Sequence, residues 1–262
     1  MLRTESISYN VGKKNILSNV SADFLPGEFN MILGPNGSGK STFLKIFAGE
    51  LNDFSGAVFY DDKKIKDINN AALAKERAVM SQQPELSFPL SVEEVVMMGR
   101  YPHFTFNPGK KDVDICNEVI GLLQLSEFKE RNYLTLSGGE KQRVQFARIL
   151  AQIYEAPANG YRYLFLDEPL NNLDINYQQE FLQIATSFAK QHTVLIAVMH
   201  DINLALQYAD KVFFLKEGRL VDKGNAKEIV TAELIEKVFA IKTTIINNPV
   251  SNTPLVVFNA KK

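Results

Sequence analysis

The chain has 262 residues, room for one or two domains and for a hydrophobic core that needs neither disulfides nor metal. Charge is nearly balanced, 29 Lys+Arg against 30 Asp+Glu, which excludes the global basic field that draws nucleic acid. A hydrophobic share of 45% excludes disorder as the main state, and the one cysteine, Cys116, excludes an internal disulfide or a multi-thiolate metal site and suits a reducing compartment.

Residues 1–10 carry charged and polar groups where a secretory leader would need an apolar core. Residues 2–24 read as short strands broken at Gly12-Lys13-Lys14, and Pro26-Gly27 then punctuates before the apolar run Phe29–Leu33. This predicts a small antiparallel sheet leading into a buried strand. Three further apolar runs, 163–166, 194–199 and 212–215, are separated by helix-length segments, as parallel strands of an α/β core should be. All are too short to span a bilayer, so work at a membrane would require docking through partners. Between about 84 and 153 helix signals take over: Ser91-Val92-Glu93-Glu94 is a capping box, and Val113, Val119, Ile120 and Leu123 recur at helical spacing. A helical subdomain inserted into the sheet domain is expected there. Residues 155–161, with Pro157 and Gly160, form a returning loop, and the tail from 226 reads as one helix followed by a β-rich 242–258.

Gly34-Pro35-Asn36-Gly37-Ser38-Gly39-Lys40-Ser41-Thr42 fits G-x-x-x-x-G-K-[ST] and stands between a strand run and a helical run, the context this phosphate-binding loop requires. Its glycines allow backbone N–H groups to point at a polyphosphate, the helix N-terminus adds a favourable dipole, and Lys40 places a cation on the β/γ-phosphates. Ser41 offers its hydroxyl to Mg²⁺.

The run 163–166 ends in Asp167-Glu168, which places two carboxylates at the carboxyl edge of the sheet, where α/β proteins bind ligands. Asp167 can order Mg²⁺ or its water, and Glu168 can polarise an attacking water as a general base. Leu136-Ser137-Gly138-Gly139-Glu140 precedes a helix through Gln142, Arg143, Ala147, Leu150 and Ala151, so Ser137 and the amides of Gly138 and Gly139 can form a second anion cradle. A lone Ser-Gly-Gly is ordinarily a flexible helix cap. Ordered between the phosphate loop and Asp167-Glu168, it resembles the signature sequence of ATP-binding cassette (ABC) ATPases.

That resemblance covers residues 2 to about 241 and implies a P-loop α/β fold with a mainly parallel sheet, an N-terminal antiparallel β-subdomain and an inserted helical subdomain. The implied organisation is one ABC ATPase domain over 1–262, with 1–83 and 154–262 as the nucleotide-binding core and about 84–153 as the helical subdomain. The resemblance assigns Tyr9 to the position that stacks on adenine, although by itself it would read as a core or edge-strand tyrosine. It assigns Gln82 to the glutamine that senses Mg²⁺ and the attacking water, with adjacent Gln83 left open. Asp174 matches the loop that communicates across a nucleotide-sandwich dimer, a role compatible with a helix N-cap, and His200 matches the switch histidine at the γ-phosphate. His103 and His192 lie in no motif and read as surface or packing residues. Ser81 stands where proline commonly precedes the glutamine, and Leu170-Asn171-Asn172 replaces the usual small polar run.

The same resemblance implies ATP and Mg²⁺, a head-to-tail homodimer in which residues 34–41 of one copy are covered by residues 137–139 of the other, two transmembrane permease subunits, and a periplasmic-type binding protein acting through them. The location implied is peripheral, on the cytoplasmic face of the inner membrane. Residues 87–100 and the run His200-Asp201-Ile202-Asn203-Leu204-Ala205 resemble importers for iron-siderophore, haem and cobalamin. The lengthened junction after Leu150-Ala151-Gln152-Ile153 is similar to the hemin import ATP-binding family, which implies haem import, with a ferric-siderophore or cobalamin importer as the alternative. A soluble cassette ATPase acting on DNA or ribosomes is the reading from another class. No heptad run, tandem cassette or basic tail supports it, so no nucleic-acid partner is expected.

Overall fold

The structure is a computed structural model that describes residues 1–81, 86–157, 160–171 and 173–259. The chain divides into two compact units, residues 1–67 with 185–262, and residues 68–184. In chain order the first unit begins with β1 (Leu2–Val11), β2 (Lys14–Phe24), β3 (Phe29–Leu33), α1 (Lys40–Phe47), β4 (Ser55–Tyr60) and β5 (Lys63–Lys64). The second unit holds α2 (Asn70–Glu76), β6 (Arg77–Met80), α3 (Val92–Met97), α4 (Lys110–Leu122), α5 (Gly138–Gln152), β7 (Arg162–Asp167) and most of α6 (Ile175–Ala189). The chain then returns to the first unit with β8 (Thr193–Val198), α7 (Ile202–Tyr208), β9 (Lys211–Lys216), β10 (Arg219–Asn225), α8 (Ala232–Phe239), β11 (Thr243–Asn247) and β12 (Pro254–Phe258).

In the first unit an antiparallel sheet runs in the order β2-β1-β4-β5. The end of β2 shows why: Val20, Ala22 and Phe24 point inward while Ser21 and Asp23 alternate with them on the solvent side. A second set of strands runs β10-β9-β3-β8, with β3 parallel to both β8 and β9 and only β10 antiparallel. Every residue of β3 and of β8 is buried, the unalternating pattern of strands covered on both faces. Phe24 meets Phe43, Phe47 and Phe213 at ring-centroid distances of 6.5, 5.6 and 4.6 Å. Phe43 and Phe47 belong to α1, so this aromatic cluster fixes the helix immediately after the glycine-rich loop.

In the second unit β6 and β7 pair in parallel, with Met80 opposite Leu166. The capping box expected at the start of α3 is formed: Ser91 N donates to Glu94 Oε2 at 2.7 Å and Glu94 N donates to Ser91 Oγ at 3.2 Å. Helix α5 is the spine, burying Val144, Phe146, Ala147 and Leu150, and Phe146 stacks on Phe181 of α6 at 3.8 Å. The helical stretch expected over about 84–153 falls inside this unit, which also takes in β6, β7 and most of α6. The tail forms one helix, α8, and the antiparallel hairpin β11-β12. No helix among the described residues is long and apolar enough to cross a membrane.

Candidate functional site

The loop between β3 and α1 is shaped by three glycines with positive φ: Gly34 (156°), Gly37 (76°) and Gly39 (97°). A Cβ on Gly34 would lie 2.0 Å from the Leu215 carbonyl oxygen, and one on Gly39 would lie 2.7 Å from Leu17 Cδ2 and 2.9 Å from the Ile16 carbonyl oxygen. The loop is thus pressed on one side against its own unit. Nothing lies within 4 Å of the Cβ position of Gly37, which faces open space at the loop crest beside exposed Asn36. Ser38 N donates to the Pro35 carbonyl at 3.2 Å, and Gly218 N donates to the Ser38 carbonyl at 3.1 Å. Lys40 is 5% exposed, and its Nζ donates to the carbonyl oxygens of Gly34 at 2.9 Å and Pro35 at 3.1 Å. The Ser38 hydroxyl is buried with no hydrogen-bond partner. A buried ammonium and an unsatisfied buried hydroxyl in a glycine-shaped loop at a helix N-terminus suit a polyphosphate. Ser41 and Thr42 form the first turn of α1, both half-buried.

Two other expected residues lie in this unit. His200 is exposed directly after β8, and because β3 and β8 are parallel, with Ile32 opposite Val198, it leaves the sheet at the same carboxyl edge as the loop. Met199 N donates to the Ile32 carbonyl at 3.2 Å, and Asp201 caps α7 by accepting from Leu204 N at 3.0 Å, which fixes the chain on either side of the imidazole. Tyr9 is half-buried on β1 opposite Leu17 of β2.

The second unit carries the carboxylates and the Ser-Gly-Gly segment. Asp167, the last residue of β7, is 3% exposed, and Glu168 follows with φ 51° in the left-handed region. Ser137 is exposed as the N-cap of α5, positioned by a short turn in which Tyr133 N donates to the Leu90 carbonyl at 2.8 Å and Gln145 Nε2 donates to the Tyr133 hydroxyl at 2.9 Å. Its own N–H donates to Glu140 Oε2 at 2.6 Å, while Ser137 Oγ accepts from Glu140 N at 3.3 Å. Those bonds hold the Glu140 carboxyl below its usual range, so the cradle already contains an internal anion beside Gly138 and Gly139. Asp174 is exposed and caps α6, accepting from Tyr177 N at 3.0 Å. Gln82, its alternative Gln83, and Asn172 lie outside the described residues.

The geometry adds residues that the motifs do not name. Asn171 Nδ2 donates to Glu168 Oε2 at 3.2 Å, and Gln142 Nε2 donates to the Pro169 carbonyl at 2.8 Å. Arg100, 1% exposed, donates to Asp112 Oδ1 at 3.0 Å, the Ala151 carbonyl at 2.8 Å and Glu155 Oε2 at 2.8 Å. His103 donates Nε2–H to the Gln152 carbonyl at 2.7 Å, the packing role expected for it. Burial pushes the Cys116 thiol up to about 11, which makes it a poor nucleophile.

The family profile described as ABC transporter matches residues 17–171, from β2 through the phosphate loop and the Ser-Gly-Gly segment to the turn after Glu168. The chain belongs to the ABC transporter family. It is therefore an ATP-binding cassette with the P-loop α/β fold, and ATP is its nucleotide. The cassette is 42% identical to the hemin import ATP-binding protein HmuV of Gloeobacter violaceus, covering 98% of this chain and 94% of that one. It is 35% identical to HmuV of Escherichia coli O157:H7, covering 99% of this chain and 100% of that one. Among solved structures, the cassette of a metal-chelate type ABC transporter in an inward-facing conformation superposes with a TM-score of 0.81 at 22% identity, over 99% of this chain and 97% of that one. A bacterial ABC transporter cassette solved as a dimer gives a TM-score of 0.73 at 26% identity, over 87% of this chain and 100% of that one.

Proposed function

We propose that this cassette is the ATP-hydrolysing, energy-coupling subunit of a haem importer, working as a homodimer docked on two permease subunits at the cytoplasmic face of the inner membrane, with a periplasmic-type binding protein delivering cargo to the permease. The observation that carries the cargo is the near end-to-end likeness to hemin import ATP-binding proteins at 35% to 42% identity. The observation that carries the chemistry is the loop that buries Lys40 against Gly34 and Pro35.

In this reading residues 34–42 wrap the phosphates of ATP through backbone N–H groups, with Lys40 on the β/γ-phosphates. Tyr9 stacks on the adenine, and Ser137, Gly138 and Gly139 of the second copy, together with Asp174, complete the site across the dimer. The donor set of Ser41, Asp167 and Gln82 consists of hard oxygens, which suits Mg²⁺. That ion, when bound, would neutralise charge developing on the transferred phosphoryl group. Glu168 accepts a proton from the attacking water as the water oxygen bonds to the γ-phosphorus and the bond from that phosphorus to the ADP oxygen breaks; His200 steadies the γ-phosphate. Closing the dimer on ATP and reopening it after hydrolysis drives the permease between its two access states.

The test is reconstitution of this cassette with its permease in lipid vesicles, with haem, a ferric siderophore or cobalamin presented by the cognate binding protein. ATP-dependent uptake of haem alone is the expected result. Uptake of a siderophore or cobalamin instead would overturn the cargo and keep the ATPase mechanism, and hydrolysis indifferent to any permease would favour the soluble class. A Glu168→Gln variant should bind ATP, lose turnover and accumulate as a closed dimer.

A further inference from the structure

Glu168 stands in a left-handed backbone conformation, φ 51°, which a residue with a side chain adopts only where its surroundings hold it there. Three contacts close on the turn that Glu168 opens. Asn171 N reaches the Glu168 carbonyl at 3.5 Å, the Asn171 side-chain amide donates to Glu168 Oε2 at 3.2 Å, and Gln142 from α5 donates to the Pro169 carbonyl at 2.8 Å. The turn begins at the end of buried β7 and leads to Asp174, which caps α6, so both of its ends are fixed. Helix α5 is fixed as well, through Phe146 on Phe181 at 3.8 Å and the Arg143 guanidinium 4.1 Å from the Tyr177 ring centroid.

We propose that Asn171 is a positioning residue for the Glu168 carboxylate: its amide N–H occupies one carboxylate oxygen and leaves the other to take the proton of the attacking water. The inference rests on Glu168 as the base and names the side chain that aims it. A carboxylate on an exposed turn samples several rotamers, whereas one anchored through a single oxygen presents the second in a fixed direction, which is where a general base gains its rate. Gln142 acts one step further back, holding the peptide that follows the base against the helix begun by Ser137. An aspartate at 171 would keep the shape of asparagine and lose its donor, so the requirement is for the amide and not for bulk.

The experiment is steady-state ATP hydrolysis by the reconstituted cassette–permease complex, with thermal melting of each variant alongside. Asn171→Ala is expected to lower kcat about tenfold, the size of one hydrogen bond to a charged group, with KM for ATP and the melting temperature unchanged. Asn171→Asp should fall at least as far, and Asn171→Gln, which keeps an amide donor, should recover part of the loss. In a Glu168→Gln background, Asn171→Ala should slow the residual rate no further. Wild-type kcat in both Asn171→Ala and Asn171→Asp would overturn the proposal, as would a tenfold loss that persists in the Glu168→Gln background. Normal turnover by Glu168→Gln itself would remove the base and this inference with it, whereas a slow Glu168→Gln beside an unimpaired Asn171→Ala removes the inference alone.

Discussion

Lys40 Nζ donates to the carbonyl oxygen of Gly34 at 2.9 Å, so the loop holds its own cation in place before any phosphate arrives. Binding ATP then exchanges carbonyl partners for phosphate oxygens without first ordering a long side chain, and the ammonium is preorganised. Lys40→Ala should weaken ATP binding about 10- to 100-fold, the range expected for hydrogen bonds to a charged group. Calorimetric titration with ATP measures this directly. An affinity equal to that of the parent chain would remove Lys40 from the phosphate site.

Two glycines of the same loop should respond to alanine in opposite ways. At Gly34 the new methyl would stand 2.0 Å from the Leu215 carbonyl oxygen, a backbone atom in a buried strand that cannot move aside. The loss there should be at least about 3 kcal/mol, enough to deplete soluble protein. At Gly37 there is open space, and the cost is that of a φ of 76°, about 1–2 kcal/mol. Urea unfolding of the two variants ranks them, and equal losses would mean that the loop does not rest on Leu215.

Much of this arrangement is legible in the sequence, and the reasons are local. Phe29–Leu33 reads as a buried strand because it is short, apolar and followed by glycines, and the loop reads as a phosphate site because its residue types are fixed by sterics and charge. Ser91 and Ser137 read as helix starts because a capping box lies within four residues. What the Ser137 box does is less legible: the spacing suggests an open cradle, whereas Glu140 turns its carboxylate back onto the Ser137 N–H. The contacts of Arg100 with Ala151 and Glu155 and of Gln142 with Pro169 are not legible, because they join residues 51, 55 and 27 positions apart, and only tertiary packing brings them together. Asn171 is visible in the sequence only as a departure from the usual run after Glu168.

Arg100 is the largest charged side chain sealed inside the helical part of the second unit, 1% exposed, with Asp112 and Glu155 as ionic partners. Gly99 beside it packs so closely on α5 that a Cβ would come within 2.0 Å of the Arg148 carbonyl oxygen. Arg100→Met keeps most of the stem volume but leaves Asp112 buried without its guanidinium. A loss of about 3–5 kcal/mol is expected, because a buried charge stripped of its partner cannot recover its hydration. The midpoint of urea denaturation reads it, and a loss under about 1 kcal/mol would mean that solvent reaches Asp112.

His103 supplies the pH dependence. Burial lowers its pKa below the ordinary 6.5, more than the Gln152 carbonyl raises it, with Arg100 and Lys75 adding to the depression and Glu155 opposing it. The folded chain therefore binds this proton less readily than the unfolded chain. The contribution of neutral His103 is fully present above about pH 6.5, declines as pH falls from there through the lower folded value, and is gone below both. One proton caps the slope at about 1.4 kcal/mol per pH unit. Denaturant melts between pH 8 and pH 5 should fall more steeply for the parent than for His103→Gln, which keeps a donor for the Gln152 carbonyl but cannot titrate in that range. Parallel curves for the two proteins would mean that His103 titrates alike folded and unfolded, and that the acid sensitivity arises elsewhere.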